Sequence, residues 1–292
     1  MKQILTMLIP TSVKKKLKQK MYESFGFLNV TKPYEIAIKD TGLIKDKVAV
    51  VTGGSGALGR AICNQLAAEG AKVYVCGTNE HKVEYVVNEI VTNGGTAIPC
   101  LLNVKSETDI NTKFQSIVEK EGRIDILVTC AGGSSRDKCK PIVEQDVEVI
   151  DEVLSINLRG TILCTRTAGK QMVLQGSGKI VVLSSTIGVQ GKINFSEYAA
   201  AKGGVIAYSK SLAMELGKNN INVNCVSPGI IQRDKIRINQ MDRLKGTNYL
   251  NSFGTPEDIS NMVTFLVSDK AAFITGQNVV VDGGRSLGLK GD

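Results

Sequence analysis

Tryptophan is absent from the 292 residues, proline occurs only six times, and histidine only once, as His81. The seven cysteines (Cys63, Cys76, Cys100, Cys130, Cys139, Cys164 and Cys225) include no CxxC pair. With a single imidazole and no paired thiols the chain lacks the ligand spacing of a zinc site, so no metal is expected. The cysteines are scattered through apolar segments, which argues against a disulfide framework and for a reducing, cytoplasmic setting. No run of ~18 apolar residues occurs, so no membrane-spanning helix is expected. The first apolar run, ILTMLI, is too short for a secretory signal and no small-residue cleavage site follows it.

What is present is glycine, 30 residues of it, with a hydrophobic fraction of 42%, the texture of a globular chain with many tight turns. The length suits one large α/β domain with a full core, or two small ones. Net charge is +8, but residues 1–46 hold nine lysines against four acids, a surplus of five, which leaves three for residues 47–292. The basic character thus belongs chiefly to an N-terminal extension, and a nucleic-acid binder is not indicated. Within that extension Val13, Leu17, Met21 and Phe25 recur at four-residue steps, with Lys14, Lys15, Lys16, Lys18 and Lys20 mostly off the stripe. That is a basic amphipathic helix. Through residues 1–28 it either lies on an anionic membrane surface or a partner, or packs its stripe on its own or a neighbouring subunit. Residues 29–46 read as a linker.

From Lys47 the chain alternates short apolar strands with helical patterns. The strands are KVAVVTG, KVYVCG, TAIPCLLNV, RIDILVTCAGG, KIVVLSS, INVNCVSPG and QNVVVDGG; helices are expected at 80–93, 107–120, 144–175, 197–217 and 256–268, with another in ALGRAICNQLAAEG. Apolar strands joined through helices require crossovers, hence a single doubly wound Rossmann domain over 47–292 with about seven mostly parallel strands and helices on both faces. The irregular stretch 230–255 is expected to be a mobile substrate lid.

Two motifs carry chemistry. In VVTGGSGALGRAI, Gly54, Gly56 and Gly59 satisfy GxGxxG between a strand and a helix, where the backbone can approach a pyrophosphate at a helix N-terminus. No GK[ST] follows, so this is not a P-loop. In SSTIGVQGKINFSEYAAAK, Tyr198 and Lys202 are one helical turn apart and share a face. A free phenol titrates near ~10, and a nearby cation stabilises the phenolate and lowers that value. Ser185, thirteen residues before Tyr198, can donate to the same oxygen that the phenol serves. Together they make a carbonyl-reducing or alcohol-oxidising site.

Residues 47–286 resemble the short-chain dehydrogenase/reductase family: TGGSGALG at 52–59, AGG at 131–133, Asn157 in INLRG, Ser185, YAAAK at 198–202, SPG at 227–229 and VDGG at 281–284. The resemblance implies an NAD(P)-dependent enzyme interconverting a secondary alcohol and a ketone. Tyr198 would be the acid/base, Lys202 would lower its pKa and hold the nicotinamide ribose, Ser185 would orient the substrate oxygen, and Asn157 would hold a water linking Lys202 to solvent. It also implies that the cofactor is bound by Gly53, Ser55, Gly56, Leu58, Gly59, Thr78, Asn79, Asn103, Val104, Ala131, Gly132, Pro228, Gly229 and Ile231, besides Tyr198 and Lys202, and that the protein is a homo-oligomer, a tetramer or dimer.

Several positions depart from the family pattern. Ala57 replaces its second glycine; Thr129 and Cys130 replace the asparagines of NNAG; Asn103 replaces an aspartate; Arg233 replaces a threonine. No acid follows the second strand at Gly77-Thr78-Asn79, so nothing there repels a 2′-phosphate, and NADP(H) is favoured over NAD(H). The stretch 233–245 carries Arg233, Lys235, Arg237, Arg243 and Lys245 against Asp234 and Asp242, which points to an anionic small-molecule substrate, sugar-type or oxoacyl. The alternative is a non-catalytic dinucleotide-sensing or scaffold protein; the intact Asn157, Ser185, Tyr198 and Lys202 argue against it.

Overall fold

The computed structural model describes residues 42–134, 136–232 and 246–288. The basic helix expected in the N-terminal extension and the charged part of the expected lid, 233–245, lie outside the described residues. Chain order is β1 (Val48–Thr52), α1 (Ala57–Ala68), β2 (Lys72–Gly77), α2 (Glu80–Thr92), β3 (Thr96–Leu101), α3 (Glu107–Glu121) and β4 (Ile126–Thr129). There follow α4 (Val147–Leu154), a π-helical turn (Ser155–Arg159), α5 (Gly160–Gln175), β5 (Gly178–Leu183), a short α6 (Thr186–Gln190), α7 (Ser196–Leu216), β6 (Ile221–Pro228), α8 (Pro256–Val267) and β7 (Asn278–Val281). The seven strands form one sheet in the order β3-β2-β1-β4-β5-β6-β7, every neighbour parallel.

The alternation of side chains across the strands explains why both faces are apolar. From β1, Ala49 and Val51 face one core with Ile62 and Leu66 of α1, Val83 and Ile90 of α2, and Ile259 and Val263 of α8. Val48 and Val50 face the other, with Ile110 and Phe114 of α3, Cys164 and Met172 of α5, and Val205 and Leu212 of α7. Helix ends are set by local chemistry. Thr255 and Asp258 form a capping box on α8, with Pro256 at its start. Ser106 caps α3, and Gly122 ends it in the left-handed conformation. Asp125, at the entry to β4, is paired with Arg123 and accepts the Val48 amide at 2.9 Å, which ties the first central strand to the fourth.

Two expectations need revision in detail. The helix expected over 144–175 is α4 and α5 joined by the π-helical turn, and α6 was not anticipated at all. The strand order reverses between β1 and β4, and the crevice at such a switch point, outside the carboxyl ends of the strands, is where open α/β sheets bind ligands.

Leu127 sits in the middle of β4 with no exposed surface. Leu127→Ala is therefore expected to cost about 2–5 kcal/mol, read as a lowered urea midpoint at unchanged m-value.

Candidate active site

The glycine turn after β1 is first of all a packing solution. Gly53 has φ +65°, and a Cβ there would lie 2.7 Å from the Ala131 Cα. A Cβ on Gly59 would lie 2.1 Å from the Gly53 carbonyl oxygen, so α1 meets the turn with no room for a methyl. The Gly54 amide is held by the Cys76 carbonyl at 2.8 Å. Ala57 opens α1 half-buried, so the methyl that replaces the family glycine is accommodated.

Between the β1 and β4 ends lies a crevice of about 510 Å³ lined by Gly53, Ser55, Thr78, Asn103, Val104, Ala131 and Gly132 among the expected cofactor residues. Cys76, Gly77, Lys105, Glu152 and Asn157 line it too. The remaining expected cofactor residues do not line it. Gly56 and Gly59 shape the turn, Leu58 packs against the core, and Asn79 caps α2 by accepting the Lys82 amide at 3.0 Å. Asn103 accepts the Lys105 amide at 3.0 Å. Pro228 and Gly229 end β6, where the Gly229 amide bonds the Val281 carbonyl at 2.9 Å, and Ile231 bridges Gly254. Lys105 and Glu152, which pair at 3.0 Å from elements far apart in sequence, were missed because no local motif announces them.

On the other side of the switch point the catalytic candidates converge. The π-helical turn buries Asn157, whose Nδ2 donates to the Gly133 and Val153 carbonyls at 2.9 Å each and whose Oδ1 accepts the Gly133 amide at 3.2 Å. A Cβ on Gly132 would lie 2.3 Å from Asn157 Oδ1 and 3.4 Å from Lys202 Nζ, so Gly132 is the point at which these two side chains meet. Lys202 is buried and donates to the Leu183 carbonyl at 2.8 Å, while its own carbonyl accepts the Ser184 hydroxyl at 2.7 Å. Gly188 of α6 packs so closely that a Cβ would lie 2.8 Å from the Lys202 Cβ. Burial pulls the Lys202 ammonium down to about 8, partly countered by the Cys130 and Cys225 sulfurs beside it. Its Nζ lies 5.8 Å from the centre of the half-buried Tyr198 ring. Ser185 caps α6 by accepting the Ile187 amide at 3.2 Å, which leaves its hydroxyl proton available to a substrate oxygen.

The altered NNAG positions have visible consequences. Thr129 keeps a buried hydroxyl without a hydrogen-bond partner, and the tie between β1 and β4 comes from Thr52, whose Oγ1 accepts the Ala131 amide at 3.3 Å. Cys130 is half-buried and packs against the core.

A serine, a tyrosine and a buried lysine beside the switch point of a parallel sheet define a class of oxidoreductases acting on CH–OH groups. Comparison with known proteins agrees. A family model described as enoyl-(acyl carrier protein) reductase matches residues 53–286. The 3-oxoacyl-[acyl-carrier-protein] reductase FabG of Aquifex aeolicus is 37% identical over 245 residues, covering 82% of this chain and 98% of its own length. That of Staphylococcus aureus is 38% identical over 246 residues, with the same 82% and 98% coverage. Among solved structures, a short-chain type dehydrogenase/reductase from Mycobacterium ulcerans superposes with TM-score 0.78 at 31% identity, covering 83% of this chain and 90% of its own. A protein provisionally named gluconate dehydrogenase from Agrobacterium tumefaciens gives 0.80 at 28%, covering 86% and 100%. The chain belongs to the short-chain dehydrogenase/reductase family and is an oxidoreductase of CH–OH groups. Among the described residues, no helix is long and apolar enough to cross a membrane.

The buried lysine makes a thermodynamic prediction. Unfolded, a lysine titrates near ~10.4, above the folded value of about 8. The unfolded chain thus holds the proton more tightly, so stability rises with pH between the two values and the burial cost is fully in force below pH 8. Lys202→Met removes that cost and is expected to raise stability at pH 7 by about 1–3 kcal/mol, a gain that shrinks by pH 9; urea melts at the two pH values read it.

Proposed function

We propose that the chain is an NAD(P)-dependent reductase of 3-oxoacyl thioesters, with Tyr198 as the proton donor and NADP(H) as the favoured cofactor. The observation that carries the reading is the meeting of Asn157 and the buried Lys202 ammonium at Gly132, beside Tyr198 and next to a glycine-walled crevice. The crevice fits a dinucleotide: its turn leaves no Cβ at Gly53 or Gly59, and the amide ends of α1 open beside it. Gly53, Ser55, Ala131 and Gly132 would hold the pyrophosphate and ribose end, and Thr78 and Asn103 the adenosine end. When bound, the nicotinamide supplies the hydride.

The protein's own contribution is to place and protonate the oxygen. Ser185 donates a hydrogen bond to the substrate carbonyl oxygen, and Tyr198 passes its phenolic proton to that oxygen as the carbon is reduced. The Lys202 ammonium stabilises the phenolate left behind. Lys202 is held for this by the Leu183 carbonyl and Gly188.

The preference for NADP(H) rests on charge. Thr78 lines the crevice whereas Glu80, the acid next in sequence, faces a separate cavity over β3. The wall after β2, Gly77-Thr78, thus carries no carboxylate, and a 2′-phosphate meets no repulsion from that wall. The oxoacyl substrate is supported by the FabG relatives, which are named for that activity and covered over nearly their whole length. Expected companions of this reading are a homo-oligomeric state and a cytoplasmic location.

The test is acetoacetyl-coenzyme A with NADPH or NADH, followed by loss of NADPH absorbance, beside gluconate with the oxidised cofactors. Tyr198→Phe is expected to lower kcat by about 10²–10⁴-fold with NADPH affinity retained. Turnover unaffected by that substitution would refute the proton-transfer role; a higher kcat/KM with NADH would refute the cofactor preference, and turnover of gluconate alone the thioester.

A further inference from the structure

We propose that Cys76 and Cys100 form a thiol–disulfide modification site, and that closing it weakens nucleotide binding; only the second part rests on the function proposed above. The two residues are register partners near the carboxyl ends of β2 and β3. Neighbouring strands lie ~4.7–4.9 Å apart, inside the ~4.4–6.8 Å Cα separation that a disulfide spans. Register partners in a parallel ladder project to the same face, and both side chains belong to the same buried cluster. Each thiol perturbs the other: Cys100 pushes Cys76 up, and Cys76 holds Cys100 below the usual thiol range, with the Lys113 ammonium acting on Cys100 in the same direction. The Cys76 thiol itself donates to the Tyr74 carbonyl at 3.6 Å.

Access to the pair is one-sided. Cys76 is fully buried, whereas Cys100 is 8% exposed and lines an open cavity of about 380 Å³ shared with Tyr74 and Lys113. A low-molecular-weight disulfide, RSSR, therefore meets Cys100 first. The Cys100 thiolate attacks one sulfur, forming a mixed disulfide and expelling RS⁻. Cys76 then attacks the Cys100 sulfur and gives its proton to the departing sulfur, which leaves as the second RSH. Two protein thiols are oxidised to one disulfide, and RSSR is reduced to two RSH.

The same segment is part of the nucleotide crevice. Cys76 lines it, and its carbonyl holds the Gly54 amide at 2.8 Å. The next residue, Gly77, packs so that a Cβ would lie 2.8 Å from the Ser55 hydroxyl, and its carbonyl accepts the Leu102 amide at 2.9 Å. Locking Cys76 to Cys100 fixes both side chains in the disulfide geometry and so constrains the wall on which the glycine turn hangs.

The experiment uses the full-length protein incubated with oxidised glutathione. Intact mass, a non-reducing peptide map and NADPH affinity by fluorescence titration are recorded before oxidation, after it, and after dithiothreitol. The expected result is loss of two hydrogens, a linked Cys76–Cys100 peptide, and an NADPH Kd raised by about tenfold, ~1.4 kcal/mol, restored by dithiothreitol. Cys100→Ser should neither form the link nor weaken under oxidant. No link, or arrest at a glutathione adduct, overturns the modification site; a link with unchanged NADPH affinity overturns its regulatory effect. Failure of the reduced protein to bind NADPH tells against the nucleotide reading and removes the regulatory effect, while the mass and peptide map still decide the disulfide.

Discussion

The site is organised around one costly feature, an ammonium group taken out of water. Lys202 has its charge facing the Leu183 carbonyl, its backbone clamped by Ser184 and Gly188, and its tip meeting Asn157 at Gly132. A buried charge without partners is not tolerated, so each of these neighbours is constrained in turn. Leu183 must end a strand there, residue 188 must lack a side chain, and residue 132 must lack one too. The lysine thereby dictates the geometry of β5, α6 and the loop after β4. Burial holds this ammonium 5.8 Å from the centre of the Tyr198 ring, in a place that water screens little.

The parallel sheet makes this economical. Because every strand runs the same way, the ends of β1, β4, β5 and β6 lie along one edge, and residues far apart in sequence, such as Gly53 and Ala131 or Gly132 and Lys202, become neighbours without long loops. The glycine turn after β1, the Ala131-Gly132 segment after β4 and the two serines after β5 occupy adjacent positions along that edge. The contacts are tight: the Gly53–Ala131 and Gly59–Gly53 approaches leave no space for a methyl. The crevice at the switch point and the Asn157–Lys202 cluster are thus two sides of the same packed seam.

Much of this was legible in the sequence, and the reason is that the legible parts are local. Tyr198 and Lys202 share a helix face, the glycine turn sits between a strand and a helix, and the strand–helix rhythm demands crossovers; each follows from spacing alone. What could not be read depends on tertiary packing. The π-helical turn at Ser155–Arg159 has no composition signature, yet it is what brings Asn157 to Gly133. The Lys105–Glu152 pair and the Cys76–Cys100 register join segments whose pairing is known only once the sheet is assembled. Asn79 and Asn103 were readable as polar groups at the right strand ends, but their side-chain oxygens accept local amides, a use that competes with ligand binding.

The departures from the family pattern at Thr129 and Cys130 show which constraints are strict. Replacing an asparagine by Thr129 leaves a buried hydroxyl unpaired, a cost of ~1–3 kcal/mol, yet the strand register between β1 and β4 is intact over four residue pairs because backbone bonds and the Thr52 side chain supply the connection. Gly132, three positions further on, has no such freedom, since the Asn157 side-chain oxygen occupies the space that a Cβ would need, with the Lys202 ammonium in contact beside it. Side chains that only tie strands together can be exchanged when the ladder carries the load. Positions packed against the buried Asn157 and Lys202 side chains cannot, and this sets the boundary between what the fold tolerates and what it forbids.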